Sequence, residues 1–264
     1  MDFVPFLFMR NVVAKLPRNP CVHNVHQLSS EWSNEAQARI ACKVKSIDVI
    51  SASSGIFYKI GAKNNQAEIS KLDPEKDELE SVTFKNSVAT SIAETDTQRF
   101  LDKDSIMALE KFFKETRFEI VSLVLSIPNA YHEDNVNYLL KSIPVVRKLE
   151  VQIETYKPFL EDLALPTPSI SFNCESTHVF PESWRSIILE SARTKRFNEL
   201  KLYIRVNQVP FYKQLLGILA TRVQDEGVPE MILMDPLIEE EATALGLTFE
   251  RSILGGYFRF QMKD

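Results

Sequence analysis

Apolar residues in the first part of the chain recur at helical spacing. Phe6, Met9, Val12, Val13 and Leu16 follow one another at intervals of mostly three and four, which places them on one face of a helix. Pro17 and Pro20 come next, and together they end that helix and impose an extended link. Val25 and Leu28 share one side of a second short amphipathic piece. Ser29 or Ser30 is then placed to cap a third helix carrying Trp32 and Ala36.

From Val44 the period falls to two. Lys45 to Ser51 alternates, Ser53-Ser54-Gly55 supplies a turn, and Ile56 to Ile60 alternates again, predicting a strand pair or two successive strands. Residues 64–80, with the run KLDPEKDELE, read as a charged surface loop, and Ser81 to Phe84 as a short strand. Residues 88–101 read as a helix diluted by serine and threonine.

Thereafter strands and helices take turns. Asp104 or Ser105 caps a helix with Ile106, Leu109, Phe112 and Phe113 inward, and a strand follows at Val121 to Ile127. A helix with Val136, Leu139, Leu140 and Ile143 inward leads to a strand at Leu149 to Ile153, and Ile170, Phe172 and Cys174 alternate in another. Pro181 opens a helix presenting Trp184, Ile187 and Ile188, and the strand Leu200 to Ile204 succeeds it. Pro210 opens a further helix with Phe211, Leu215, Ile218, Leu219 and Val223 inward, and strands at Met231 to Met234 and Phe258 to Met262 close the chain.

Corresponding strand positions recur at intervals of roughly 20–30 residues, the rhythm of a leucine-rich-repeat-like solenoid. The expected fold class is therefore α/β: a small helical head over residues 1–43, then a degenerate repeat body over 44–264. Its strands are expected to form a parallel sheet with helical crossovers. A doubly wound α/β sheet produces the same alternation and is the rival architecture. Outward strand members, among them Glu150, Gln152, Lys201, Tyr203, Arg259 and Gln261, would line the open sheet face.

Composition narrows the function classes. With 44% hydrophobic residues, the 264-residue chain has ample material for a core without disulfide or metal support. A net charge of -5 argues against nucleic-acid or anionic-membrane partners, which require a basic field. Three cysteines, Cys21, Cys42 and Cys174, show no paired spacing, which fits a reducing compartment. No run reaches the roughly 18 apolar residues of a membrane span. Asp2 precedes the apolar N-terminal stretch and no small-residue cleavage site follows it. The expectation is a cytoplasmic or nuclear protein.

Signatures of chemistry are missing. The one adjacent glycine pair, Gly255-Gly256, precedes a strand; there is no G-x-G-x-x-G, no phosphate loop and no G-x-S-x-G elbow. Cys21, His23 and His26 lie close together with Cys42 beyond, but the run is compressed relative to a structural zinc site. A buried thiol and surface imidazoles are the expected reading. His132 and His178 precede helices, where capping or solvent contact is the default. The carboxylate runs at Asp73 to Glu80 and Glu239 to Glu241 read as solvated faces. No catalytic residue, cofactor or metal is expected.

With the body emptied of catalytic candidates, the head carries the functional signal. Val4-Pro5, the apolar helix ending in Val12, Val13 and Leu16, then Leu28-Ser29-Ser30 and Trp32 resemble an F-box. Val4 and Pro5 stand for its Leu-Pro start, Leu16 for the leucine that ends its first helix, Leu28-Ser29 for its Val-Ser pair and Trp32 for its closing tryptophan. A divergent F-box head before an irregular strand–helix body is similar to the nematode-expanded F-box families. The resemblance implies a substrate-recognition adaptor of a Skp–cullin–F-box ubiquitin ligase, non-catalytic itself. Its head would dock a Skp-type subunit through Val4, Pro5, Phe6, Phe8, Val12, Leu16, Leu28 and Trp32, and its body would bind a target protein. Two alternatives stay open: a repeat scaffold whose head only caps the solenoid, and an α/β enzyme with an unrecognised site.

Overall fold

The computed structural model describes residues 5–16, 21–28, 30–61, 68–87, 98–128, 131–143, 146–152, 169–173, 182–194, 199–203, 209–226, 230–233, 247–251 and 258–262. The chain divides into two compact units. The first holds residues up to Leu123 together with Ala130–Val145 and Pro158–Leu163, and the second holds Val124–Asn129, Val146–Lys157 and the chain from Ala164 onward.

In the first unit, α1 (Phe6–Lys15) and α3 (Ser30–Ile40) pack together, joined through the single turn α2 (His23–Val25). Leu16 at the end of α1 is already extended, the conformation that a following proline imposes. Only Ala41 and Cys42 separate α3 from β1 (Lys43–Ala52), so the 43/44 boundary falls one residue inside a strand. β1 pairs antiparallel with β2 (Gly55–Gly61). A Cβ at Gly55, where φ is +150°, would stand 2.5 Å from the Phe100 ring, so this turn requires glycine.

After one 3-10 turn at Ile69–Lys71, β3 (Asp77–Asn86) runs parallel to β1 with an irregularity at Lys45/Ser46. β4 (Arg99–Phe100) borders β2, and the strand order here is β3-β1-β2-β4. Residues 88–97, within the expected diluted helix, lie outside the described residues. The charged stretch 64–80 departs from its expected character at its end. Asp77 to Glu80 belong to β3, and Asp77 and Glu78 are buried. Polarity concealed the strand because partner cations, which no local pattern reveals, compensate those carboxylates.

Helix α4 (Lys103–Glu115) buries Ile106, Leu109, Phe112 and Phe113, and α5 (Glu133–Ser142) buries Val136, Leu139 and Leu140 with Ile143 just beyond. Between them runs β5 (Ile120–Ser126). The cap of α4 is Asp102 rather than Asp104 or Ser105. Its carboxylate accepts a hydrogen bond from the Ser105 N–H at 2.8 Å. That bond, followed by one with the Ser105 side chain, holds the Asp102 carboxyl below the usual range. A depressed folded-state pKa contributes stability above the unfolded value near ~3.9, and this is lost as pH falls through the folded value. Asp102→Ala is therefore expected to lower the urea midpoint at pH 7, by an amount that shrinks at pH 3. Asp102→Asn should match the wild type at pH 7.

The second unit is built on β6 (Val146–Gln152), β7 (Ser169–Asn173), β8 (Glu199–Tyr203), β9 (Glu230–Leu233), β10 (Leu247–Arg251) and β11 (Phe258–Met262), in the order β10-β11-β9-β8-β7-β6. β6 to β9 are parallel neighbours. Helix α6 (Glu182–Thr194) crosses from β7 to β8, and α7 (Val209–Glu226) from β8 to β9. Trp184 of α6 stacks edge-on against Phe172 with centroids 6.4 Å apart. Pro181 and Cys174 lie outside the described residues.

The expected all-parallel sheet is corrected in both units. β1–β2 and β2–β4 are antiparallel in the first, and β9–β11 and β10–β11 in the second. For β1–β2 connection length decides this, since two residues (Ser53-Ser54) can close a hairpin, whereas a parallel return needs a dozen or more. β10 has no counterpart in the strands expected from the sequence pattern. The architecture is thus α/β with mixed strand pairing. From Leu149 to Gln152 the side chains of β6 alternate: Leu149 and Val151 are buried while Glu150 and Gln152 are partly exposed. Strands of a doubly wound sheet are covered on both faces and read as continuous apolar runs, a pattern that β6 does not follow.

Candidate partner-docking site

Helix α1 begins at Pro5, whose carbonyl accepts from the N–H groups of Phe8 (2.9 Å) and Met9 (3.2 Å). Its fixed φ makes it a suitable entry residue. The next three residues are bulky and apolar. At 3.6 residues per turn they cover more than half the helix circumference, so no single packed face can take them all. None is taken: Phe6 is 55% exposed, Leu7 67% and Phe8 57%. The packed side starts at Met9 and continues through Val13 and Ala14.

The eight expected docking residues fall into two groups. Pro5, Phe6, Phe8 and Leu28 are exposed, with Leu28 at 60%, while Val4 lies outside the described residues. Leu16 and Trp32 instead pack against the buried cluster of Val13, Val22 and Ala36 and so hold the three head helices together, and Val12 is half-buried. Leu7, which the periodic pattern passes over, is the most exposed of the α1 apolar residues.

The head is fastened to the strands by a buried cation. Arg39, in the last turn of α3, is 1% exposed and pairs with the equally buried Glu78 of β3, with Nη2 donating to Oε1 at 2.8 Å. Its Nη1 donates to the Leu16 carbonyl at 2.6 Å and also to the Val13 carbonyl. Alongside, Ala14, Cys42 and Phe118 form a small cluster, with the Arg39 guanidinium 5.6 Å from the Phe118 ring centre. A second buried pair, Lys45 with Asp77 at 2.7 Å, secures the start of β3 to β1. At the surface Arg10 pairs with Glu75, and Arg117 lies 3.7 Å from the same carboxylate. None of these charges stood out in the sequence, because Arg39 sits in an otherwise ordinary polar helix and Asp77 and Glu78 in a charged run.

The cysteine–histidine run shows partners of another kind. His23 and His26 are exposed, and His26 Nδ1 lies 2.7 Å from Ser33 Oγ. The Cys42 thiol donates to the Ala38 carbonyl at 3.4 Å. Among the described residues, no group of three or more histidine, cysteine or carboxylate side chains could hold a metal ion. His132 precedes α5 in a left-handed conformation and does not cap it with its side chain. Its Nε2 lies 3.0 Å from the Ala52 carbonyl, while Ser51 Oγ donates to Tyr131 O at 2.8 Å. His178 lies outside the described residues, as do Glu239 to Glu241.

In the second unit the register relates several of the strand positions expected to face outward. Glu150 aligns with Ser171 and so with Lys201, and Gln152 aligns with Asn173 and so with Tyr203. Lys201 pairs with Ile232, which pairs with Arg259. Glu150, Lys201 and Arg259 thus occupy one row across the sheet, whereas Gln261 falls in another, opposite Thr248.

No protein-family model matches the chain, and no curated protein matches it. Among the described residues, no helix is long and apolar enough to cross a membrane.

Proposed function

We propose that the chain is an F-box-like adaptor. The first turn of α1 docks a Skp-type subunit of a cullin ubiquitin ligase, and the strand-bearing body recruits a target protein in the cytoplasm or nucleus. The observation that carries this reading is the exposure of Phe6, Leu7 and Phe8 side by side behind Pro5, where the F-box resemblance calls for a docking surface. Exposed bulky apolar residues in a contiguous group are characteristic of protein-binding surfaces, and an amphipathic helix entering a partner's groove uses such anchors. A helix that served only as a cap would bury its largest side chains rather than present them. The chain supplies no chemistry in this scheme, since ubiquitin transfer belongs to other subunits. A leucine-rich-repeat-like body, with the Glu150–Lys201–Arg259 row on its recruiting face, completes the proposal.

Capture of the full chain by a purified Skp-type subunit tests it. Phe6→Ser combined with Phe8→Ser is expected to weaken binding by about 100-fold or more, the effect of losing two aromatic anchors. Because both side chains are exposed, the double variant should melt like the wild type. Absence of capture, or capture indifferent to the double substitution, would overturn the reading. A second reading, a scaffold whose head serves as a structural cap, is favoured by the buried Arg39–Glu78 pair. In that case the exposed phenylalanines would be dispensable for every interaction of the chain.

A further inference from the structure

We infer that Arg39 is a positioning residue that sets the direction of α1 relative to the β1–β3 strands, so that the apolar first turn is presented at one fixed angle. A backbone carbonyl in a helix normally receives the N–H of the residue four positions on. For Val13 that residue is Pro17, which carries no N–H, and Leu16 has already turned extended, so its carbonyl has no helical partner either. The end of α1 is therefore left with two carbonyls that the following chain cannot serve in the helical manner, and an unserved carbonyl beside a core is costly.

One guanidinium nitrogen, Nη1 of Arg39, serves both carbonyls. The opposite edge of the same planar group engages the Glu78 carboxylate, through Nη2 at 2.8 Å and Nε at 3.5 Å. Guanidinium donors are held in a rigid fork, so fixing one edge fixes the other. Glu78 belongs to β3, which is paired along its length with β1. The carbonyl end of α1 is thereby registered to the sheet through a single stiff group. A flexible ammonium could neutralise Glu78 but could not span both edges in this geometry.

The inference deepens the docking reading, because a subunit seated on Phe6, Leu7 and Phe8 would then be held in a constant orientation to the body. Its test uses the free chain, so failure here and failure of capture are separate results. Nitroxide labels at Asn11→Cys on α1 and Lys59→Cys on β2, both exposed, report the orientation as a distance distribution once Cys21, Cys42 and Cys174 are replaced. The wild-type background should give one narrow distribution. Arg39→Met combined with Glu78→Met removes both charges together, which a core tolerates far better than the loss of one partner. In this variant the distribution is expected to broaden at least twofold while Trp32 emission, reporting the Val13–Val22–Ala36 cluster, stays unchanged. Arg39→Lys, which keeps the charge opposite Glu78 but not the fork, should broaden it as well and decides the matter if the double variant does not fold. A distribution that is broad in the wild type, or as narrow in the folded variants as in the wild type, would overturn the inference.

Discussion

Replacing Arg39 with alanine is expected to destabilise the first unit by about 3–5 kcal/mol, the cost of breaking a buried ion pair from one side. The carboxylate of Glu78, 2% exposed, would remain in the interior without its guanidinium, and the Val13 and Leu16 carbonyls would lose their donor together. The pair itself need not be strongly stabilising, because removing two charges from water offsets much of their attraction. A second substitution, Glu78→Leu, should therefore recover a large part of the loss. The chain's two tryptophans make the measurement specific to one unit. Trp32 packs on the head cluster and Trp184 is buried against Phe172 in the second unit. In a Trp184→Phe background, urea unfolding followed by Trp32 fluorescence reports the first unit alone. An Arg39→Ala midpoint close to the parent's would show that the pair is incidental to stability.

Deleting residues 1–42 is expected to unfold the first unit altogether. The truncation removes Arg39 from Glu78 and strips Ala14 and Cys42 from Phe118. The charge effect alone is comparable to the roughly 5 kcal/mol that is the lower end of a domain's total stability. Far-ultraviolet dichroism and a thermal melt of the truncated chain check this directly. A cooperative melt near the full-length temperature would mean that the head is an independent module, joined to the strands but not required by them. Taken with the capture experiment, the melt separates three cases: a docking head that is also integral, a docking head that is detachable, and a structural cap alone.

The exposed first turn and the buried pair point in different directions only if docking and capping exclude each other, and the structure of α1 gives each its own surface. Phe6, Leu7 and Phe8 are outward, whereas Met9, Val13 and Ala14 are packed. A ten-residue helix has room for both because its apolar content exceeds what one stripe needs. Helical periodicity, which selects residues three and four apart, detects the packed stripe and is blind to three consecutive apolar residues. The same spacing passes over Leu7 and does not distinguish the exposed Phe6 and Phe8 from Leu16 and Trp32, which are partly buried against the head cluster.

Sequence alone determined those features that depend on neighbours along the chain. The period-two runs of β1 and β2, the inward faces of α4 and α5, and the proline-enforced end of α1 all follow from spacing and local sterics. So did the helices between β5 and β6, β7 and β8, and β8 and β9, and with them the α/β class. Tertiary structure decided what depends on residues distant in sequence. The mixed strand pairing rests on which edges meet, and the burial of Asp77 and Glu78 on cations 32 and 39 positions earlier, at Lys45 and Arg39. Pro17, written plainly in the sequence, announces a helix end with carbonyls in need of a donor, but which side chain answers is settled only where α3 crosses the end of α1. Local rules specify what a segment needs, while the packed chain determines what meets that need, because hydrogen bonds and charge pairs act over a few ångströms in space irrespective of separation along the backbone.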